Sequence, residues 1–193
     1  MRVFKFGGAS VKDAEGVKNV VNVLKQVGHK NTLVVVSAMG KTTNAMEKVV
    51  DAYFNDKSNI ANVIQERKEF HNEILSNLFP NNQHLIYGKI KILFDEVIGF
   101  LAWNKSPKRS FVYDQVVGYG ELISSTILDA YLNEVGIKSN WLDVRNFIKT
   151  SDNYRDAKVD WEKTQEKIST GIDKSKLNVT QGFLGSDDNN FTT

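Results

Sequence analysis

One stretch near the start limits the fold more than any other: Arg2-Val3-Phe4-Lys5-Phe6-Gly7-Gly8-Ala9-Ser10-Val11. Val3 to Phe6 mixes β-branched and aromatic residues, as a buried strand does. Two glycines end it, and helical spacing begins a few residues later. Strand, Gly-Gly turn and helix is the arrangement by which α/β proteins bring backbone N–H groups and a helix N-terminus to an anion. Glycines allow close approach because no Cβ intervenes. Lys5 can extend a positive charge over the turn, and Ser10 adds a hydroxyl donor. The turn has neither the Walker A spacing nor that of the dinucleotide fingerprint. Taken alone it is a turn or a phosphate cradle, and both readings stay open. A lysine in a buried strand would need a reason to be there, which favours the cradle.

Val17, Val20, Val21, Leu24 and Val27 then recur at helical spacing. Asp13 suits the N-cap and Gly28 the C-terminal stop. Thr32 to Ser37 is a continuous apolar run, which predicts a central parallel strand buried on both faces. The unit is βαβ, right-handed by the general rule. Its second strand enters Ser37-Ala38-Met39-Gly40-Lys41-Thr42-Thr43-Asn44, another donor-rich loop, with a helix predicted over Ala45 to Phe54. In open α/β sheets, ligands sit beyond the carboxyl ends of the strands. Two donor-rich loops at neighbouring strand ends therefore mark a candidate site. Helix capping is the competing account of Ser37, Thr42, Thr43 and Asn44 taken singly.

From Ser58 to about Lys105 the pattern is helical, with apolar stripes on both sides of Pro80, which predicts an antiparallel helix pair. His71 and His84 read as structural, surface or partly buried, and no histidine has metal-ligand spacing. Gly118-Tyr119-Gly120-Glu121 precedes a strong helical stripe, so Glu121 stands in a first helical turn. It serves either the helix dipole or a ligand ammonium. A third strand is predicted over Lys138 to Val144, a short helix from Trp161 to about Ile172, and a fourth strand over Asn178 to Phe183. Asp187 and Asp188 read as solvated turn residues, and no metal site is assigned.

The totals narrow the function classes. The 193 residues suffice for one domain with a real core. A net charge of +2 gives no field that argues for nucleic acid or an anionic membrane. With no cysteine there is no disulfide, zinc–thiolate site or cysteine nucleophile, which fits a reducing cytoplasm. No run has signal-peptide or membrane-spanning character. The expectation is a cytoplasmic α/β protein that binds a small molecule.

Several pieces, in order, resemble one family. Lys5-Phe6-Gly7-Gly8-Ala9-Ser10-Val11 is similar to the opening signature of aspartate kinases, usually Lys-Phe-Gly-Gly-Thr-Ser. Val35-Val36-Ser37-Ala38 with Thr43-Asn44 resembles their second loop, and Gly118-Tyr119-Gly120-Glu121 their Gly-Glu helix start. Asp143-Val144-Arg145 and Thr180-Gln181-Gly182-Phe183-Leu184-Gly185 fit their later blocks. Ala9 departs from the usual threonine but keeps its backbone N–H. The larger departure is that the chain stops at Thr192-Thr193, where the family continues.

The resemblance implies a three-layer α/β/α sandwich with a mainly parallel sheet, the amino acid kinase or carbamate kinase-like fold, here truncated. Residues 1–193 would be the N-terminal, amino-acid-binding portion, with the nucleotide-binding portion and the ACT regulatory domains absent. It implies transfer of the ATP γ-phosphoryl to the side-chain carboxylate of L-aspartate, the first step toward lysine, threonine and methionine, with Mg²⁺ carried by ATP. Lys5 would be catalytic. Gly7, Gly8 and Ser10 would bind phosphate, and Ser37, Thr43 and Glu121 would bind aspartate. The arginine that clamps the α-carboxylate would lie beyond Thr193. The full protein would be a homo-oligomer, and this chain alone inactive. A sibling kinase acting on glutamate or acetylglutamate, and a non-catalytic amino-acid-binding fragment, are the alternatives.

Overall fold

A computed structural model describes all of residues 1–193. Strand β1 (Arg2–Phe6) leads into helix α1 (Ala14–Val27), and β2 (Thr32–Val36) into α2 (Thr42–Asn55). The helical insert is α3 (Ile60–Leu78) and α4 (Leu85–Trp103), broken around Pro80 as expected. Then come α5 (Arg109–Val117), α6 (Tyr119–Glu134), β3 (Ser139–Leu142), α7 (Trp161–Gly171) and β4 (Leu177–Gln181). Asp13 caps α1, its carboxylate accepting from the Gly16 N–H, and Gly28 ends it at φ 77°. That φ lies in the region glycine adopts without steric penalty.

The four strands form one parallel sheet in the order β1-β2-β4-β3. Phe4 pairs with Val34, and Val34 with Val179. Side chains alternate between faces. Phe4, Phe6, Val34, Val36, Leu177 and Val179 therefore share one face, and all six belong to or pack on the main core. Val17, Val20, Val21 and Leu24 of α1 and Ile123, Ile127, Leu128 and Leu132 of α6 fill that core. On the opposite face, Leu33, Val35, Leu142 and Thr180 share a cavity with Ile168 of α7 and with Ile172, the residue just after it. Helices thus flank both faces, and the three-layer α/β/α expectation holds.

Five local expectations need correction. The helix after β2 starts at Thr42, not Ala45, because Lys41 rather than a donor side chain takes the N-cap position. The strand before Val144 is only Ser139–Leu142, since Asp143 caps a following 3-10 turn by accepting from the Arg145 N–H. The last strand ends at Gln181, because Phe183 turns away with φ 69°. His71 is fully buried, with Nδ1 2.7 Å from the Arg67 carbonyl and its ring edge-on to Phe94. Asp187 is buried rather than solvated: its carboxylate accepts from the Asn189 and Phe191 N–H groups and from the Tyr154 hydroxyl. Asp188 is exposed and pairs with Lys163, as a solvated acid does.

Candidate functional site

Parallel pairing puts the carboxyl ends of all four strands along one edge, and the donor-rich loops gather there. The loop after β1 and the loop after β2 are tied together. The Ser37 N–H donates to the Phe6 carbonyl at 3.0 Å, and the Gly40 N–H to the Gly8 carbonyl at 3.1 Å. Gly8 is needed for that approach: a Cβ there would lie 2.5 Å from the Ala38 carbonyl oxygen. Gly7 differs, since a Cβ there would meet nothing within 4 Å. Its backbone therefore borders open space. The Ser10 N–H donates to the Gly7 carbonyl at 2.9 Å and closes the turn, leaving the Ser10 hydroxyl exposed.

Lys5 corrects one expectation. It lies on β1, an edge of the sheet, and its side chain is exposed on the face opposite Phe4 and Phe6. Burial therefore gives no reason for a lysine here. It takes part in none of the ion pairs, so its charge is open to solvent or ligand.

The second loop is held from below by α6. The Ser124 hydroxyl donates to the Ser37 carbonyl at 2.9 Å. Gly120 lets the start of α6 come against the loop, for a Cβ there would sit 2.9 Å from the Ala38 Cβ. Thr42 is buried, and its hydroxyl donates to the Met39 carbonyl at 2.7 Å. Capping does not account for Thr43, because no side chain caps α2. Thr43 is half-buried and lines a cavity of about 680 Å³ beside Glu121.

Glu121 is the distinctive charge of the site. It is buried in the first turn of α6 and makes no ion pair. One carboxylate oxygen accepts from the Ala38 N–H at 3.3 Å. Burial pushes its pKa up to about 6; the N–H groups of Ala38 and of Glu121 itself oppose the shift. A buried carboxylate without a cation is unfavourable until one arrives. The cavity beside it borders this unpaired carboxylate.

Of the seven site residues expected from sequence, Glu121 and Thr43 line this cavity together. Ser37 sits next to Ala38, which binds Glu121. Lys5, Gly7, Gly8 and Ser10 stand at the adjoining strand end and do not line the cavity.

The structure adds lining residues that sequence reasoning missed. Asp114 is buried on α5, its carboxyl raised by burial, and it accepts from the Arg155 N–H at 2.8 Å. The Arg155 guanidinium lies 4.1 Å from the Tyr113 ring centroid. Phe183 is 96% exposed at the cavity edge with a positive φ, a strained placement for a bulky residue. The available signal was spacing: Asp114, Val117, Gly118 and Glu121 sit at i, i+3, i+4 and i+7, and all four line the cavity.

Comparisons with known proteins agree with this fold. The amino acid kinase family model matches residues 1–193. Aspartokinase 2, chloroplastic, of Arabidopsis thaliana is 31% identical over 194 residues, covering 95% of this chain and 35% of that protein. The lysine-sensitive aspartokinase 3 of Escherichia coli is 27% identical, covering 99% of this chain and 42% of that protein. The crystal structure of E. coli aspartokinase III with aspartate and ADP superposes with a TM-score of 0.88 at 24% identity, covering all of this chain and 43% of that one. The chain spans less than half the length of these relatives. With a family match from end to end, a parallel sheet and loops gathered at its carboxyl edge, the chain belongs to the amino acid kinase family.

Proposed function

We propose that this chain is the amino-acid-binding portion of an aspartate kinase, which transfers the ATP γ-phosphoryl to the side-chain carboxylate of L-aspartate and yields 4-phospho-L-aspartate. The observation that carries the reading is Glu121, a buried carboxylate without a cation, facing a cavity at the carboxyl edge of the sheet. It suits the α-ammonium of a free amino acid. An acetylated amino group carries no charge to meet it, which disfavours acetylglutamate.

A carboxylate substrate is already ionised at neutral pH, so the reaction needs positioning and charge neutralisation rather than a general base. ATP, with Mg²⁺ held mainly on its phosphates, supplies the phosphoryl group when bound. Lys5, exposed and unpaired, would neutralise charge on that group. Gly7, with open space above its backbone, and Gly8 and Ser10 would donate hydrogen bonds to its oxygens. Ser37 and Thr43 would line the aspartate pocket. Homo-oligomerisation of the complete protein belongs to the same proposal.

The test is acyl-phosphate formation by the complete gene product, trapped with hydroxylamine, on a panel of L-aspartate, L-glutamate and N-acetyl-L-glutamate. The proposal expects product with L-aspartate above the others. Preference for L-glutamate or N-acetyl-L-glutamate makes the protein a sibling kinase, and no product with any of them leaves a binding role.

A further inference from the structure

A second cavity, of about 690 Å³, lies between α4, α6 and β3. Its volume falls within the range of about 300–1,000 Å³ typical of small-molecule sites. It shares no lining residue with the cavity beside Glu121. Asp129, on its α6 wall, stands two turns beyond Glu121 along the same helix, about 12 Å by the helical rise. Phosphoryl transfer at the first cavity leaves this one without a role. Much of its wall is apolar. Leu85 and Ile92 are 80% and 56% exposed, and Leu93 and Trp141 line the cavity with them. The Trp141 Nε1 already donates to the Ser125 hydroxyl at 3.0 Å. What Trp141 offers a ligand is therefore ring surface, which suits an apolar body or a cation over its face.

The charges select the class of ligand. Asp129 is half-buried, and its Oδ1 accepts from the Ser139 hydroxyl at 2.6 Å. Its Oδ2 takes no hydrogen bond from the chain and is not sealed from the surface. No ion pair holds this carboxylate. Burial raises it, opposed by the Ser139 hydroxyl and by the charge of Lys89. Lys89 lines the same cavity but is exposed and pairs with no acid. Glu134, also in the lining, lies 3.5 Å from the His84 Nε2. That imidazole is neutral, because its Nδ1 accepts from the Ile86 N–H at 3.2 Å. Two carboxylates thus face one lysine, and the lining carries an excess of negative charge. A partly buried carboxylate with a free oxygen lacks a donor, and an ammonium supplies both donor and charge. An anion would meet the carboxylates, and a purely apolar molecule would leave Asp129 unanswered.

We propose that the cavity between α4, α6 and β3 is a second small-molecule site, for an organic ammonium with an apolar or aromatic body, whose charge pairs with Asp129 while its body lies against Ile92, Leu93 and Trp141. The site is independent of the aspartate kinase reading, since it uses none of the residues placed in that reaction.

Calorimetric titration of the complete gene product with phenethylamine, and with 3-phenylpropionate as the anion of matching shape, tests the site. Phenethylamine should bind with about millimolar affinity or better, as a small fragment does, and 3-phenylpropionate should not bind. Asp129→Asn keeps an oxygen for the Ser139 hydroxyl and removes the charge, so it should weaken phenethylamine at least about fivefold. Lys89→Ala removes a competing cation from an exposed, unpaired position and should tighten phenethylamine about threefold. A gain of affinity is not what damage to the fold produces. Glu121→Gln, at the other cavity, should leave phenethylamine unchanged. Absence of phenethylamine binding overturns the proposal, as does equal binding of 3-phenylpropionate. So does affinity that Asp129→Asn leaves intact, that Lys89→Ala lowers, or that Glu121→Gln removes.

Discussion

The Glu121 carboxylate and the Ala38 N–H meet at 3.3 Å across 83 residues of sequence, joining the first turn of α6 to the loop after β2. This bond is one of the few that hold a buried charge here, and it fixes the carboxylate against the cavity.

Glu121 should set a pH dependence of stability. Its carboxyl is raised from 4.5 to about 6 in the folded chain. The folded state therefore holds the proton more tightly than the unfolded state. The stabilisation is complete below about pH 4.5 and is lost as pH rises through about 6, an effect of about 2 kcal/mol. Glu121→Gln should raise the unfolding midpoint at pH 7.5 and remove this loss. Denaturant titrations across pH 4 to 8 measure both.

His71 should act in the opposite sense. Burial lowers it from 6.5 to about 4. The unfolded state takes up the proton first, so stability is complete above about pH 6.5 and falls as pH drops toward 4, by about 3 kcal/mol. His71→Leu should flatten the acid limb. An unchanged acid limb in that variant would assign acid sensitivity to other groups.

The two glycines of the opening turn should separate structure from function. Gly8→Ala places a Cβ 2.5 Å from a backbone oxygen, and should destabilise by about 1–3 kcal/mol as overpacking does. Gly7→Ala enters open space and should leave the unfolding midpoint within about 0.5 kcal/mol, apart from glycine's backbone entropy. In the complete enzyme Gly7→Ala should nevertheless lower phosphoryl transfer. Equal activity would remove Gly7 from the phosphate site.

Lys5→Ala should leave stability unchanged, since the side chain is exposed and unpaired. In the complete enzyme kcat should fall more than tenfold, with a smaller change in the KM for aspartate. An unchanged kcat would make Lys5 a surface residue.

Much of this was legible because it is local. The apolar runs of β1 and β2, the Asp13 cap, the Gly28 stop and the break at Pro80 each depend on a few neighbouring residues. The parts that were not legible are long-range. Lys5 looks buried in sequence, and its exposure follows from the strand order β1-β2-β4-β3, which leaves β1 at an edge. His71 sits in a polar stretch of α3 but is enclosed by Phe70 and Phe94. Asp187 looks like half of a solvated pair until the chain folds back and supplies three donors. At the site, Glu121 and Thr43 were visible as helix-start residues after glycine or donor-rich loops. Asp114 and Arg155 were not, because their pairing joins α5 to a loop 41 residues away.

The central claim is that Glu121 receives the substrate's α-ammonium, and calorimetric binding of L-aspartate and of succinate tests it most directly. Succinate keeps both carboxylates and lacks only the amino group. The account predicts that Glu121→Gln weakens L-aspartate at least tenfold, leaves succinate unchanged or slightly tighter, and abolishes the loss of aspartate affinity as pH falls through about 6. Equal effects on the two ligands, or no effect on aspartate, would contradict it.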